Sequence, residues 1–185
     1  MLDLQAARAA IEAIARHAGA DVMQYFDKPH TEEVKSNIFD VVTEGDKASE
    51  AAIVPALLAQ FPRIPIISEE GGVNPDADPN SPYTWYIDPI DGTTNFAANL
   101  PFFSISIALA DSATLQPLVG VVYNPVYGEM FSAAKDGGAT LNGRPLHVTT
   151  ATNLNRAVLS TGFPYQRQHM ADNNLRQWEN MLMQV

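Results

Sequence analysis

The chain has 185 residues, with 11 Lys and Arg against 21 Asp and Glu and a formal charge of −10. Such a molecule repels nucleic acid and anionic membranes through its general field, and an anionic substrate needs bound cations to offset that charge. Hydrophobic residues make up 46% and cysteine is absent, which together support a real core, exclude disulfides, zinc–thiolate sites and cysteine nucleophiles, and fit a reducing, cytoplasmic setting.

The start, Met1-Leu2-Asp3-Leu4, has no basic region followed by an apolar one, so no signal peptide is expected there. No apolar run approaches membrane-spanning length, and no membrane contact is expected. Residues 3–26 predict an amphipathic helix, with Leu4, Ile11, Ile14, Ala15, Ala18, Val22 and Phe26 near one face and Lys28-Pro29 as its stop. Asp40 to Asp46 lead into a second helix carrying Ile53, Val54, Leu57, Leu58 and Phe61. Pro55 lies inside that pattern and predicts a kink unless the helix begins near it; Pro62 ends it. Ile64 to Ser68 predict a short strand running into Glu69-Glu70-Gly71-Gly72, and residues 73–83 a surface loop.

Trp85, Tyr86 and Ile87 read as a strand that delivers Asp88 and Asp91 to its end. Pro89 pushes Asp88 toward extended backbone, Gly92 permits a sharp turn, and Thr93 or Thr94 can cap a short helix with free N–H groups at its start. Phe103, Ile105, Ile107 and Leu109 then alternate with small or polar residues. Further strands are predicted at Leu118 to Tyr123 and Glu129 to Ala134, with hairpin turns at Asp136-Gly137-Gly138 and Asn142-Gly143. Ala157 to Thr161 predict another strand, which Gly162-Phe163-Pro164-Tyr165 breaks. Trp178, Met181, Leu182 and Val185 mark a last helix. Its apolar face at the chain end predicts a truncated sequence, or a missing segment or partner that covers it. The expected organisation is an α+β layered arrangement, with a domain over residues 1–150 and an incomplete part over 151–185.

Three acidic segments stand at or near the ends of apolar elements: Asp40 to Asp46, Glu69-Glu70, and Asp88 with Asp91. Gathering like charges is costly unless cations neutralise them, and oxygen-only ligands favour Mg²⁺, Mn²⁺ or Ca²⁺ over zinc. Taken singly, Glu44 and Glu70 read as solvated surface acids. The constrained Pro-Ile-Asp-Gly-Thr setting makes Asp88 and Asp91 the favoured ligands, beside an anion-binding helix start suited to a phosphate. His17, His30, His147 and His169 are scattered and read as surface or packing residues. Lys35 reads equally as a counter-charge to the acids or as an ordinary surface lysine.

Asp88-Pro89-Ile90-Asp91-Gly92-Thr93-Thr94-Asn95-Phe96, followed by Pro101-Phe102, resembles the signature of the inositol monophosphatase family. Asp40-x-Val42-Thr43-x-x-Asp46, with Lys35 upstream, is similar to that family's earlier acidic motif, and Ser68-Glu69-Glu70 to its glutamate motif. Gly120-Val121-Val122-Tyr123-Asn124-Pro125 and Thr161-Gly162-Phe163-Pro164-Tyr165 also match. The resemblance implies a layered α/β/α/β/α sugar-phosphatase fold, its N-terminal helices on an antiparallel sheet and its C-terminal α/β part truncated. It implies that Glu69, Asp88 and the Ile90 backbone carbonyl hold one Mg²⁺, and that Asp88 and Asp91 share a second. Asp91 and the N–H groups of Gly92 and Thr93 would bind substrate. Thr93 paired with Asp46 would orient the attacking water, with Glu69 also in the catalytic set. The implied activity is Mg²⁺-dependent, lithium-sensitive hydrolysis of inositol monophosphate or a similar polyol phosphate by a homodimer.

The family's downstream Trp-Asp-x-Ala-Ala-Gly motif, which contributes to the second metal site, is absent; Trp178 is followed by Glu179-Asn180. Metal binding is therefore expected to survive more readily than turnover. Two other readings stay open: a non-catalytic binding or regulatory protein, and a phosphatase of the same family acting on histidinol phosphate or another sugar phosphate.

Overall fold

The computed structural model describes residues 2–28, 32–34, 41–69, 71, 74–164 and 167–184. His30, Lys35, Asp40, Glu70, Tyr165 and Val185 lie outside the described residues. Helix α1 (Leu4–Val22) starts where the Asp3 carboxylate accepts the N–H groups of Gln5 and Ala6, each at 3.0 Å, satisfying donors that a helix start leaves open. It buries Ala7, Ile11, Ile14, Ala15, Ala18 and Val22 along one stripe. The sequence placed its end near Lys28; the helix stops at Val22 and residues 23–27 form turns. Phe26 thereby packs 5.1 Å from the Phe103 ring and 5.8 Å from that of Phe96, and that aromatic contact outweighs another helical turn.

Strands β1 (Glu32–Val34) and β2 (Val41–Thr43) form a small antiparallel pair that the sequence did not reveal. Helix α2 (Glu44–Gln60) follows at once and runs through Pro55, so it begins well before the proline. Its face toward the core carries Gly45, Asp46, Ser49, Ile53 and Leu57.

Seven strands make the main sheet, in the order β3 (Ile66–Ser68), β4 (Tyr83–Asp91), β5 (Ser104–Asp111), β6 (Pro117–Asn124), β7 (Glu129–Ala134), β8 (Gly138–Leu141) and β9 (Arg144–Pro145). Helix α3 (Thr93–Ala97) lies between β4 and β5. From β4 to β9 every pairing is antiparallel, but β3 joins β4 in parallel. The sheet is thus mixed rather than wholly antiparallel. A parallel neighbour needs a long return connection, which residues 69–82 supply. Buried Asn74 anchors that crossover: its side-chain oxygen accepts from Ile66 N–H at 3.0 Å, and its amide donates to the carbonyls of Pro62 and Ile64.

Phe103, Ile105, Ile107 and Leu109 all lie buried in the core, along or just before β5, the strand that packs against α1. Trp85 is fully buried, its ring 5.2 Å from that of Phe61 at a tilt of 50°. The β7–β8 and β8–β9 turns hold Asp136, Gly138, Asn142 and Gly143 at positive φ, the backbone that the hairpin residues anticipated. Among the described residues no helix is long and apolar enough to cross a membrane.

The chain divides into two compact units, Met1–Leu146 and His147–Val185. In the second, Ala157 to Thr161 do not form the strand their apolar character predicted. No strand among that unit's described residues pairs with them, and an unpaired segment is not a strand. Helix α4 (Leu175–Leu182) is present as anticipated. Asn174, at its start, donates to Thr161 Oγ1 and to the Gly162 carbonyl at 2.6 and 2.7 Å.

Candidate metal and phosphate site

Strand β4 carries Asp88 and Asp91 toward its C-terminal end, and its pairing with β5 slips there. Asp88 faces Ser106 and Asp91 faces Ser104, three steps on β4 against two on β5. A bulge of this kind re-aims side chains and leaves backbone groups without ladder partners. Gly92 follows at φ 94° and is the residue that starts α3. The sequence reading gave that cap to Thr93 or Thr94. Thr93 is instead the first helical residue, and its hydroxyl turns back to reach the Ile90 carbonyl at 2.9 Å and Asp46 Oδ1 at 3.2 Å. A Cβ on Gly92 would stand 3.0 Å from the Phe102 carbonyl oxygen. Gly92→Ala is therefore expected to destabilise the protein by about 1–3 kcal/mol, through positive φ and this contact together; urea unfolding checks it.

Asp46 is buried at the start of α2 and held from two sides. Its Oδ2 accepts from the N–H and the hydroxyl of Thr43, at 2.8 and 2.7 Å, while the Thr43 hydroxyl accepts from the N–H groups of Gly45 and Asp46. This is a reciprocal helix cap. It leaves Oδ1 to meet Thr93. Gly45 lets α2 approach, since a Cβ there would lie 2.7 Å from the Phe96 ring.

Glu69 reaches the site from the parallel edge. Its N–H donates to the Ile87 carbonyl at 3.2 Å, just past β3, which sets it beside Asp88. Burial, reinforced by the charge of Glu69 and then of Asp91, a hydrogen bond with Glu69 and the charge of Asp46, pushes the Asp88 carboxyl up to about 7. Asp88 Oδ1 is buried without a hydrogen-bond partner. Among the described residues no three acidic or histidine side chains stand close enough to ring one cation by themselves. Glu69 stands within hydrogen-bond reach of Asp88, while Asp91 and Asp46 act on it through their charge.

The structure thus brings Glu69, Asp88, Asp91 and Asp46 into one electrostatic neighbourhood, and Thr93, Gly92 and the Ile90 carbonyl into one bonded turn. An orphaned buried carboxylate oxygen and a carboxyl pushed up by burial and by its acidic neighbours fit a hard divalent cation. His17, His147 and His169 are exposed, and His17 stands 3.9 Å from Asp21. Sequence reasoning missed Ser49, a buried serine on α2 whose hydroxyl donates to the Pro89 carbonyl at 2.8 Å. The one available signal was its place, three residues after Asp46 on the same helical face.

This fold is of the α+β sugar-phosphatase type. The chain belongs to the inositol monophosphatase family, whose sequence profile matches residues 3–184. It is 42% identical over 157 residues to the inositol-1-monophosphatase of Synechocystis sp., covering 85% of this chain and 53% of that protein. It is 39% identical over 185 residues to the Nus factor SuhB of Pseudomonas aeruginosa, covering 98% and 65%. The inositol monophosphatase structure from Anabaena superposes with a TM-score of 0.83 at 34% identity, over 99% of this chain and 65% of that one. The chain thus spans between about half and two thirds of the length of these relatives.

Proposed function

We propose that this chain carries the cation-holding part of a Mg²⁺-dependent phosphomonoesterase that releases phosphate from inositol monophosphate or a similar polyol phosphate. The observation that carries the reading is Asp88, half-buried, with one oxygen unpartnered and its carboxyl pushed up to about 7 by burial and by Glu69, Asp91 and Asp46. A site that disfavours the charge on a carboxylate gains from a cation bound beside it. Glu69, Asp88 and the Ile90 carbonyl would hold one Mg²⁺, and Asp88 with Asp91 would contribute to a second. Bound Mg²⁺ supplies neutralisation of the phosphate charge and activation of water.

The chain's own groups do the rest. The first turn of α3 leaves the N–H groups of Gly92 and Thr93 without helical acceptors, free to bind phosphate oxygens. The single hydroxyl proton of Thr93 has two acceptors in reach, Ile90 O and Asp46 Oδ1. With the hydroxyl donating to Asp46 Oδ1, the Thr93 oxygen would accept a hydrogen bond from the attacking water and fix its direction. No protein nucleophile is needed, in keeping with a chain that has no cysteine.

The test is phosphate release from inositol 1-phosphate and a panel of polyol, sugar and nucleotide phosphates, with Mg²⁺ and with a chelator. Release that the chelator stops is the expected result; no release from any ester overturns the catalytic reading. A regulatory binding role is the second reading, favoured by the likeness to the Pseudomonas relative, a Nus factor. Metal uptake without turnover on any ester would turn the balance to it.

A further inference from the structure

The β4 bulge leaves two carbonyls, those of Pro89 and Ile90, outside the ladder that resumes at Asp91. Both are met by hydroxyls: Ile90 O by Thr93 and Pro89 O by Ser49. Ser49 is fully buried, and a serine inside a helix ordinarily bonds back to its own preceding turn. Here it reaches a residue 40 positions away. Three residues earlier on the same helix, Asp46 takes the Thr93 hydroxyl. Helix α2 therefore grips the bulge at both ends, directly through Ser49 and by way of Asp46 and Thr93.

We propose that Ser49 is a positioning residue: its hydroxyl fixes the Pro89 carbonyl, and with it the backbone turn that sets the spacing of Asp88 and Asp91. The proposal rests on the cation-site reading above. A packing role alone would be met by alanine, which fills a buried helical position well. The hydroxyl is needed only because the bulge strands a carbonyl there, and orienting contacts of this kind hold ligands in place.

The experiment compares the protein with its Ser49→Ala variant and with Ser132→Ala as a reference. Ser132 belongs to a separate polar cluster with Arg8, Glu12 and Thr140, between α1 and strands β7 and β8. Two quantities are measured: amide hydrogen exchange without metal, and Mg²⁺ affinity by calorimetry. Ser49→Ala is expected to speed exchange locally at Ile90 to Thr93 and to weaken Mg²⁺ binding by about tenfold. Ser132→Ala is expected to do neither. Unchanged exchange at those amides overturns the proposal, as does faster exchange with Mg²⁺ affinity intact. Should the parent protein fail to take up Mg²⁺ at all, the cation-site reading falls, and the exchange result alone decides Ser49.

Discussion

Asp88→Asn is expected to abolish the stabilisation of the protein by Mg²⁺ while making the metal-free protein more stable at pH 8. The two effects have one origin. With the Asp88 carboxyl raised from 3.8 to about 7, the folded state at pH 8 must hold a charge that burial, Glu69 and Asp91 all disfavour. Asparagine keeps the shape and removes that charge. The gain is about 1–2 kcal/mol once solvent screening of a half-buried group is allowed for. It should shrink to a small fraction near pH 4, where Asp88 is neutral in the folded chain and only partly ionised in the unfolded one. A neutral amide is a far poorer ligand than a carboxylate, so the cation loses its central anchor and phosphate release goes with it. Urea unfolding at pH 4 and pH 8, with and without Mg²⁺, checks both effects; an Asn variant that still gains stability from Mg²⁺ removes Asp88 from the site.

The second large effect is on pH dependence. A carboxyl whose pKa rises on folding binds its proton more tightly in the folded state. Its contribution to stability is therefore present below the unfolded value of 3.8 and is lost as pH rises toward about 7. Metal-free protein should thus lose stability from Asp88 between about pH 4 and 7, the reverse of what an ordinary paired aspartate does. Mg²⁺ and the proton compete for the same oxygens, so Mg²⁺ affinity should fall by about tenfold per pH unit below about pH 7. Calorimetric titrations at pH 6, 7 and 8 measure it. A flat affinity across that range would detach the cation from Asp88.

Local rules carried the sequence reading far. Phe103, Ile105, Ile107 and Leu109 announce β5 because alternation is decided by the two faces of one strand. Asn142-Gly143 announces its hairpin because few residues accept positive φ. Asp88 and Asp91 were legible as the end of a strand, and Gly92 as the turn after it. What stayed hidden depends on groups distant in sequence. Nothing local says that β3 joins β4 in parallel, for that rests on Asn74 and the crossover it pins. The early end of α1 comes from Phe26 finding Phe96 and Phe103. Ala157 to Thr161 look like a strand and are not one, because pairing needs a second strand that composition does not provide. Ser49 was invisible for the same reason, its partner being 40 residues away.

Asp46 performs two duties with two oxygens: one seals the first turn of α2, and the other aims the Thr93 hydroxyl. Fraying of that helix end and misdirection of the hydroxyl are therefore a single event. If the proposed phosphatase reading holds, warming should blunt turnover as soon as the first turn of α2 loosens, ahead of any melting of the sheet.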